Sequence, residues 1–141
     1  MSKLLQRLSD ASKSGVYAAA RAQDLIDAAR GSRLQVARIN LGGIADKGEL
    51  MRTVAAALGF PAWFGANWDA LEDCLTDLSW TGADGHVLLI EGEGALPVED
   101  NGTFVDVLRA AAASWSGRGR PFFAVFVGGG PALPRLYRDR E

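Results

Sequence analysis

The chain has 141 residues, of which 48% are hydrophobic and 23% are charged, and its formal net charge is −2 at pH 7. This length predicts one domain with a hydrophobic core. The single cysteine, Cys74, excludes an internal disulfide framework and a multi-cysteine zinc site, and it favours a reducing, cytoplasmic setting. Because the sequence shows neither a signal-peptide core nor an apolar run of membrane length, we expect no export and no membrane partner.

Apolar runs and helical periodicity alternate along the chain. Short apolar runs bounded by turn residues predict strands at 34–41, 86–92 and 121–129, and residues 15–20 could add a short edge strand. Amphipathic patterns with capping and stop signals predict helices at 23–31, 46–60, 67–80 and 101–117. Strands that alternate with helices indicate an α/β fold, with a small parallel sheet of about three core strands packed with helices.

The composition also suggests domain boundaries. We expect residues 34–130 to form the α/β domain. Residues 1–33 would then be an N-terminal extension that could add a strand and a helix to the sheet. The sequence GGGPALPRLYRDRE ends the chain and is rich in Gly and Pro before it becomes basic, so we expect residues 131–141 to be a loosely held basic tail.

Acidic residues dominate the middle of the sequence. From Thr53 to Leu108 there is no Lys or Arg, and of the fifteen basic residues nine precede this window and six follow it. The window contains ten acids: Asp69, Glu72, Asp73, Asp77, Asp84, Glu91, Glu93, Glu99, Asp100 and Asp106. If the window forms one side of the domain, that side repels nucleic acid and attracts basic partners. A solvated acidic face that only aids solubility is the alternative.

The helix predicted at 67–80 separates its apolar and acidic residues completely, and Asn67 is a suitable N-cap. Its apolar face contains Trp68, Leu71, Cys74, Leu75 and Leu78. Its opposite face contains Asp69, Glu72, Asp73 and Asp77. The pairs Asp69–Asp73 and Asp73–Asp77 are like-charged at i,i+4, which costs about 0.2–0.5 kcal/mol per pair. A purely structural helix could place Lys at these positions, so this row of acids indicates a partner that uses it.

The segment PAWFGAN leads into this helix. Gly65 is expected to let the chain turn, and Phe64 is expected to pack into the core. Trp63 could be a core residue, but an aromatic residue beside a charged patch is also typical of an interface hot spot. Both interpretations of Trp63 stay open at this point.

The stretch FPAWFGANWDALEDCLTDL resembles the barstar family, which are intracellular protein inhibitors of ribonucleases. The pattern is carried by Pro61, Trp63, Phe64, Gly65, Asn67, Asp69, Ala70, Leu71, Asp73, Cys74, Leu75 and Thr76. The resemblance extends over roughly residues 35–128 in the order of strands and helices. It implies a barstar-like fold, in which the acidic helix and the loop before it plug the active site of a ribonuclease.

The resemblance also implies roles for individual residues. Trp63, Asp69 and Asp73 match positions that contact the partner, and Gly65 and Asn67 match the loop that sets up the helix. Glu72 and Asp77 lie on the same acidic face and complete the expected partner-binding set. Three positions depart from the family pattern: Glu72 and Leu78 stand where aromatic residues are found, and Ala110 stands near a position where an acid is found.

The sequence lacks the residue patterns that enzyme catalysis needs. The acids lie side by side on one helix face, which does not give the separate environments of a general acid and base or converging ligands for a metal ion. His86 opens an apolar strand and is expected to be structural, and Cys74 faces inward as an unreactive thiol. The VGGG at 127–130 lacks the spacing of a phosphate-binding loop. We therefore expect no enzyme, no cofactor and no nucleic-acid ligand.

The expected partner is a basic ribonuclease, and the free protein is expected to be a monomer. The alternative is a barstar-like adaptor or antitoxin that binds another basic protein without inhibiting a ribonuclease.

Overall fold

A computed structural model describes residues 2–92, 94–128 and 133–137 of the chain. It contains four strands: β1 Gly15–Ala19, β2 Leu34–Asn40, β3 Gly85–Glu91 and β4 Phe122–Val127. It contains five α-helices: α1 Lys3–Leu8, α2 Ala22–Ala29, α3 Lys47–Leu58, α4 Trp68–Asp77 and α5 Val98–Gly117. Among the described residues, no helix is long and apolar enough to cross a membrane.

The four strands form one sheet in the order β1-β4-β3-β2, and all three pairings are parallel. The central strands β3 and β4 are apolar along almost their whole length, because helices cover both of their faces. This arrangement confirms the predicted α/β fold. The N-terminal segment supplies the fourth strand, β1, at one edge of the sheet.

Each face of the sheet has its own hydrophobic core, as expected when successive strand residues point to opposite sides. The first core joins α3, α4 and α5 to one face, through residues such as Val54, Leu71 and Phe104. The second core joins α1, α2 and the residues Leu136 and Tyr137 to the other face, whereas Leu133 packs against the first core. The fully buried residues of the second core are Leu8, Leu25, Val87, Leu89, Phe123, Val125 and Leu136. The acidic helix α4 therefore lies on the opposite side of the sheet from α1, α2 and Leu136.

Two helix boundaries differ from the sequence predictions by three residues, and the others differ by at most two. The helix predicted at 67–80 ends at Asp77, because Leu78 takes a left-handed conformation at φ 45° and Ser79–Thr81 form a 3-10 turn. Helix α5 begins at Val98, three residues before the predicted start. The short helix α1, which is capped by Ser2, was not predicted.

The expectation of a loosely held tail is wrong for residues 133–137. Leu136 is fully buried, and its N–H donates to the carbonyl of Ala18 at 2.9 Å. The N–H of Ala18 donates in turn to the carbonyl of Pro134 at 2.8 Å, and Arg7 donates to the carbonyl of Leu136 at 2.8 Å. The segment thus occupies hydrogen-bonding groups on the outer edge of β1, which an edge strand leaves open. Residues 131, 132 and 138–141 lie outside the described residues.

Candidate protein-binding surface

Helix α4 begins as the sequence predicted. Asn67 is the N-cap, and its side-chain Oδ1 accepts a hydrogen bond from the N–H of Ala70 at 2.8 Å. The carbonyl of Asn67 accepts the first helical bond, from Leu71, at 2.9 Å. Asp69 lies in the first turn, where a negative charge is favourable for the helix dipole. The start of α4 is therefore fixed by local hydrogen bonds.

The two faces of α4 are divided as the helical periodicity predicts. Leu71, Cys74 and Leu75 are fully buried in the core, and Trp68 is half-buried against it. On the opposite face, the side chains of Asp69, Glu72, Asp73 and Asp77 are exposed. We call these four residues the acidic row. The row extends about 12 Å along the helix, because Asp77 lies eight residues after Asp69 and each residue adds a rise of about 1.5 Å.

The acidic row has no cation to balance it in the part of the chain that the structure describes. Across residues 2–92, 94–128 and 133–137 there are five ion pairs, and none of them involves a member of the row. Asp77 accepts a hydrogen bond at 3.3 Å from the hydroxyl of Ser79, and this hydroxyl carries no charge. The row therefore presents its negative charge to solvent.

Aromatic residues hold the loop before the acidic helix. Phe64 is half-buried and meets the ring of Phe60 edge-on, with 4.9 Å between the ring centroids. Phe60 makes a second edge-on contact with Trp80 at 5.9 Å, and the indole of Trp80 donates to the carbonyl of Leu58 at 2.9 Å. These contacts confirm that Phe64 packs against the core. Trp63, by contrast, is 66% exposed, so its side chain is free to meet a partner.

The turn into α4 uses Ala66 and not Gly65 as its left-handed residue. Ala66 has φ 52°, whereas the φ angle of Gly65 is not positive. The expectation that Gly65 supplies the turn is therefore wrong. The lack of a side chain at Gly65 matters for another reason, because a Cβ there would lie 3.3 Å from the side-chain amide nitrogen of the N-cap Asn67.

Helix α5 supports the last turn of α4 from the rear, and the sequence analysis missed both residues involved. The indole Nε1 of Trp115 donates to the carbonyl of Leu75 at 2.8 Å, and the guanidinium of Arg118 donates to the carbonyl of Thr76. The sequence separations are 40 and 42 residues. Trp115 could have been noticed as a large residue in line with the apolar stripe of α5, but nothing local marks Arg118.

The two reactive residue types of the chain are structural, as predicted. His86 is fully buried, and its Nε2 lies 2.8 Å from the hydroxyl of Thr81. Burial, together with the charge of Arg120, lowers the pKa of His86 to about 4, so the imidazole is neutral at pH 7. Burial also raises the pKa of the Cys74 thiol, and the nearby Asp73 and Asp77 act in the same direction. Cys74 is therefore a buried thiol and not a nucleophile.

Among the described residues, no group of three or more His, Cys, Asp or Glu side chains is placed so that it could hold a metal ion.

The three residues that depart from the family pattern differ in their exposure to solvent. Leu78 is buried and cannot contact a partner, whereas Glu72 and Ala110 are exposed. Only Glu72 belongs to the acidic row.

Residues 34–127 match the family model described as Barstar (barnase inhibitor). The match covers most of the chain, so the chain belongs to the Barstar family, and the fold is the barstar-like fold that the motif implied. At the family level this indicates a ribonuclease-inhibitor function. A search of the curated proteins finds no match to the chain.

The matched range contains β2, β3, β4 and the helices α3, α4 and α5, and it therefore includes the whole candidate surface. The elements α1, β1 and α2 and the segment 133–137 lie outside it. Half of the buried residues of the second core, namely Leu8, Ala19, Leu25 and Leu136, thus come from segments that the family match does not include.

Proposed function

We propose that this protein inhibits a ribonuclease by filling its active-site cleft with helix α4 and the loop 61–66. The acidic row is the observation that carries the proposal, because its like-charged pairs Asp69–Asp73 and Asp73–Asp77 destabilise the helix of the free protein. The cleft of a ribonuclease must hold the phosphate of RNA with cationic side chains. Carboxylates on a rigid helix can take the place of phosphate there and form charge-assisted hydrogen bonds. Inhibition of this kind blocks access to the cleft and needs no chemistry.

Each member of the proposed surface has a role that fits its position. Asp69, Glu72, Asp73 and Asp77 supply the charge. Trp63 is an exposed aromatic anchor beside it, as hot spots often are. Gly65 and Asn67 hold the loop and cap the helix, and they contribute to binding by fixing that geometry. Opposite charge on the two proteins would also accelerate their encounter at low salt.

An inhibition titration tests the proposal, with barnase as the probe because the family model names it. RNA cleavage by barnase is measured with increasing amounts of the intact protein and of two variants. Asp73→Ala is expected to weaken inhibition by several kcal/mol, a magnitude taken from charged hot spots in the barnase–barstar pair of the same family. Asp27→Ala is the matched control. It removes an exposed aspartate from α2, on the other side of the sheet, and should inhibit like the wild type.

The second candidate function is binding to another basic protein without inhibition of a ribonuclease. Glu72 favours it, because this exposed carboxylate stands where the family pattern has an aromatic residue. Calorimetry on the samples used for the cleavage assay separates the two functions. Binding with inhibition supports the first, and binding without inhibition supports the second. If the wild type binds barnase and Asp73→Ala binds equally well, the acidic row is not the binding surface and both functions lose their basis.

We further propose that the protein acts in the cytoplasm and is a monomer when it is free. Its single, buried cysteine fits a reducing compartment. A ribonuclease inhibitor is needed where the RNA of its own cell is exposed to the nuclease.

A further inference from the structure

The last turn of α4 combines two sources of negative charge. The carbonyl end of a helix carries a partial negative charge, and cations in the last turn usually balance it. Helix α4 has no basic residue in its last turn, which ends at Asp77, and a second acid, Asp73, lies one residue before that turn. Such an end frays easily unless another part of the molecule supplies donors and positive charge.

Helix α5 supplies both. Of the carbonyls in the last turn of α4, that of Cys74 accepts the N–H of Leu78 at 3.0 Å. The carbonyl of Leu75 accepts the indole of Trp115, and that of Thr76 accepts the guanidinium of Arg118. Three consecutive carbonyls are therefore occupied, two of them by side chains of α5 and its C-cap. Arg118 also brings a full positive charge to the negative end of the helix.

Arg118 is itself held in place. Its Nε donates to the carbonyl of Ser114 at 3.3 Å, and its guanidinium carbon lies 4.3 Å from the ring centroid of Trp115. Trp115 is almost fully buried, so this platform is rigid. A planar fork that donates in two directions while it stacks on an aromatic ring is specific to arginine, and lysine cannot reproduce it.

We propose that Arg118 is a positioning residue for the acidic row. It fixes the last turn of α4 through the carbonyl of Thr76, and with that turn it fixes the direction in which Asp73 and Asp77 point. It makes no ion pair with these carboxylates, so they remain available to a partner. The expected effect of Arg118 on partner binding rests on the proposed function. Its support of the last turn of α4 does not.

The sign of the effect on binding distinguishes positioning from simple charge. Arg118 is a cation close to a surface that is proposed to bind a basic protein. If only its charge mattered, its removal would make the region more negative and would strengthen binding. If it positions the acidic row, its removal weakens binding although the charge balance has become more favourable.

The binding experiment measures association and dissociation rates of the full-length protein with barnase. Arg118→Ala is expected to dissociate about tenfold faster than the wild type and to associate no more slowly. Arg118→Lys, which keeps the charge but not the fork, should fall between them. Arg109→Ala is the matched control, because it removes an exposed arginine from the same helix, and it should dissociate like the wild type. The proposal is overturned if Arg118→Ala dissociates no faster than Arg109→Ala.

Hydrogen exchange tests the structural part without a nuclease. In Arg118→Ala the amide of Leu78, which closes the last turn of α4, is expected to exchange about tenfold faster. The amides of the central strand β3 should keep their wild-type rates. Equal exchange at Leu78, or a uniform acceleration that includes β3, would overturn the proposal. If the wild type does not bind barnase, the proposed function fails for this nuclease, while the exchange experiment still decides whether Arg118 holds the helix.

Discussion

Helices α2 and α4 both carry aspartates on their outer sides, but their carboxylates have different surroundings. On α2, Asp24 accepts hydrogen bonds from Arg21 at 3.2 Å and from Tyr137 at 2.5 Å. Asp27 pairs with Arg30 at 3.3 Å and also accepts from a glutamine of its own helix. On α4, none of the four acids forms an ion pair within the described residues. The molecule therefore balances its carboxylates locally on α2 and leaves them unbalanced on α4.

This difference shows what a structural acid looks like in this protein. The cations that balance α2 come from the residue before the helix and the residue after it, so they need no long-range contact. The same solution was open to α4, where a lysine or arginine one turn away would have lowered the electrostatic cost. Because α4 itself has no such lysine or arginine, we regard the acidic row as a candidate surface for another molecule.

Glu72→Lys gives α4 the kind of cation that α2 has, and it has the largest expected effect. The new ammonium group would lie three residues after Asp69, so the free protein should gain about 0.2–0.5 kcal/mol in its free energy of unfolding. Binding to a basic partner should weaken by several kcal/mol, because like charges would then face each other in the interface. Chemical denaturation and titration against barnase measure the two effects separately.

The control for this variant is Gln23→Lys, which places the same ammonium group on α2 beside Asp27 and raises the net charge by one unit, against two for Glu72→Lys. It should leave binding unchanged. A Glu72→Lys protein that binds barnase as tightly as the wild type would show that α4 does not face the partner.

Tyr137→Phe reduces the local balance on α2. It removes the hydrogen bond to Asp24 and should lower the free energy of unfolding by about 0.5–1.5 kcal/mol, while binding to barnase stays the same. The hydrogen bond from Tyr137, supported by Arg21, holds the pKa of Asp24 below its ordinary value. A lowered pKa means that the stabilisation is complete above the unfolded value of about 3.9 and is lost as the pH falls through the folded value.

The loss caused by Tyr137→Phe should therefore be constant near neutral pH and should shrink in acid. Urea denaturation from pH 7 down to the acid limit of reversible folding measures it. A difference between wild type and variant that does not change with pH would show that the contact with Asp24 does not contribute to stability as proposed.

Ala66→Gly has the smallest expected effect and concerns how the two helices begin. The N-caps of both helices, Arg21 and Asn67, have extended backbone, but Ala66, the residue before the N-cap of α4, lies in the left-handed region. That conformation costs a non-glycine residue about 1–2 kcal/mol, and glycine would avoid this cost but lose about 0.5–1 kcal/mol in entropy. We expect Ala66→Gly to be more stable than the control Ala62→Gly, whose position has no positive φ, by about 1 kcal/mol. Thermal denaturation that ranks the two variants equally would contradict the strain at Ala66.

Much of the fold and most of the candidate surface could be predicted because their signals are local. The 3.6-residue periodicity of α4 separates Leu71 and Leu75 from Asp69 and Asp73 without any knowledge of the rest of the chain. The cap at Asn67 and the apolar strands are local in the same sense. The exposure of Trp63 was not decided by the sequence, because a tryptophan beside a turn can pack inward or outward.

The features that were missed depend on contacts between distant parts of the chain. Leu136 lies in a short segment rich in proline and arginine that has no strand or helix periodicity, and only the contacts at the edge of β1 explain why it is buried. Arg118 looks like any arginine at the end of a helix until Thr76 is placed beside it. Gly65 was expected to let the chain turn because glycine is the most permissive residue, but the residue that takes the left-handed conformation is Ala66.

The pairing of β1 with β4 has a consequence for the order of folding. Gly15 lies opposite Phe123 and Ala19 lies opposite Val127, so in the described sheet the first strand to leave the ribosome pairs only with the last one. Contacts of such long sequence separation form slowly, since a long loop must close before they can form. Strand β1 therefore cannot pair until β4 has been synthesised, whereas α4 and α5, which precede β4, can already pack against each other and display the acidic row.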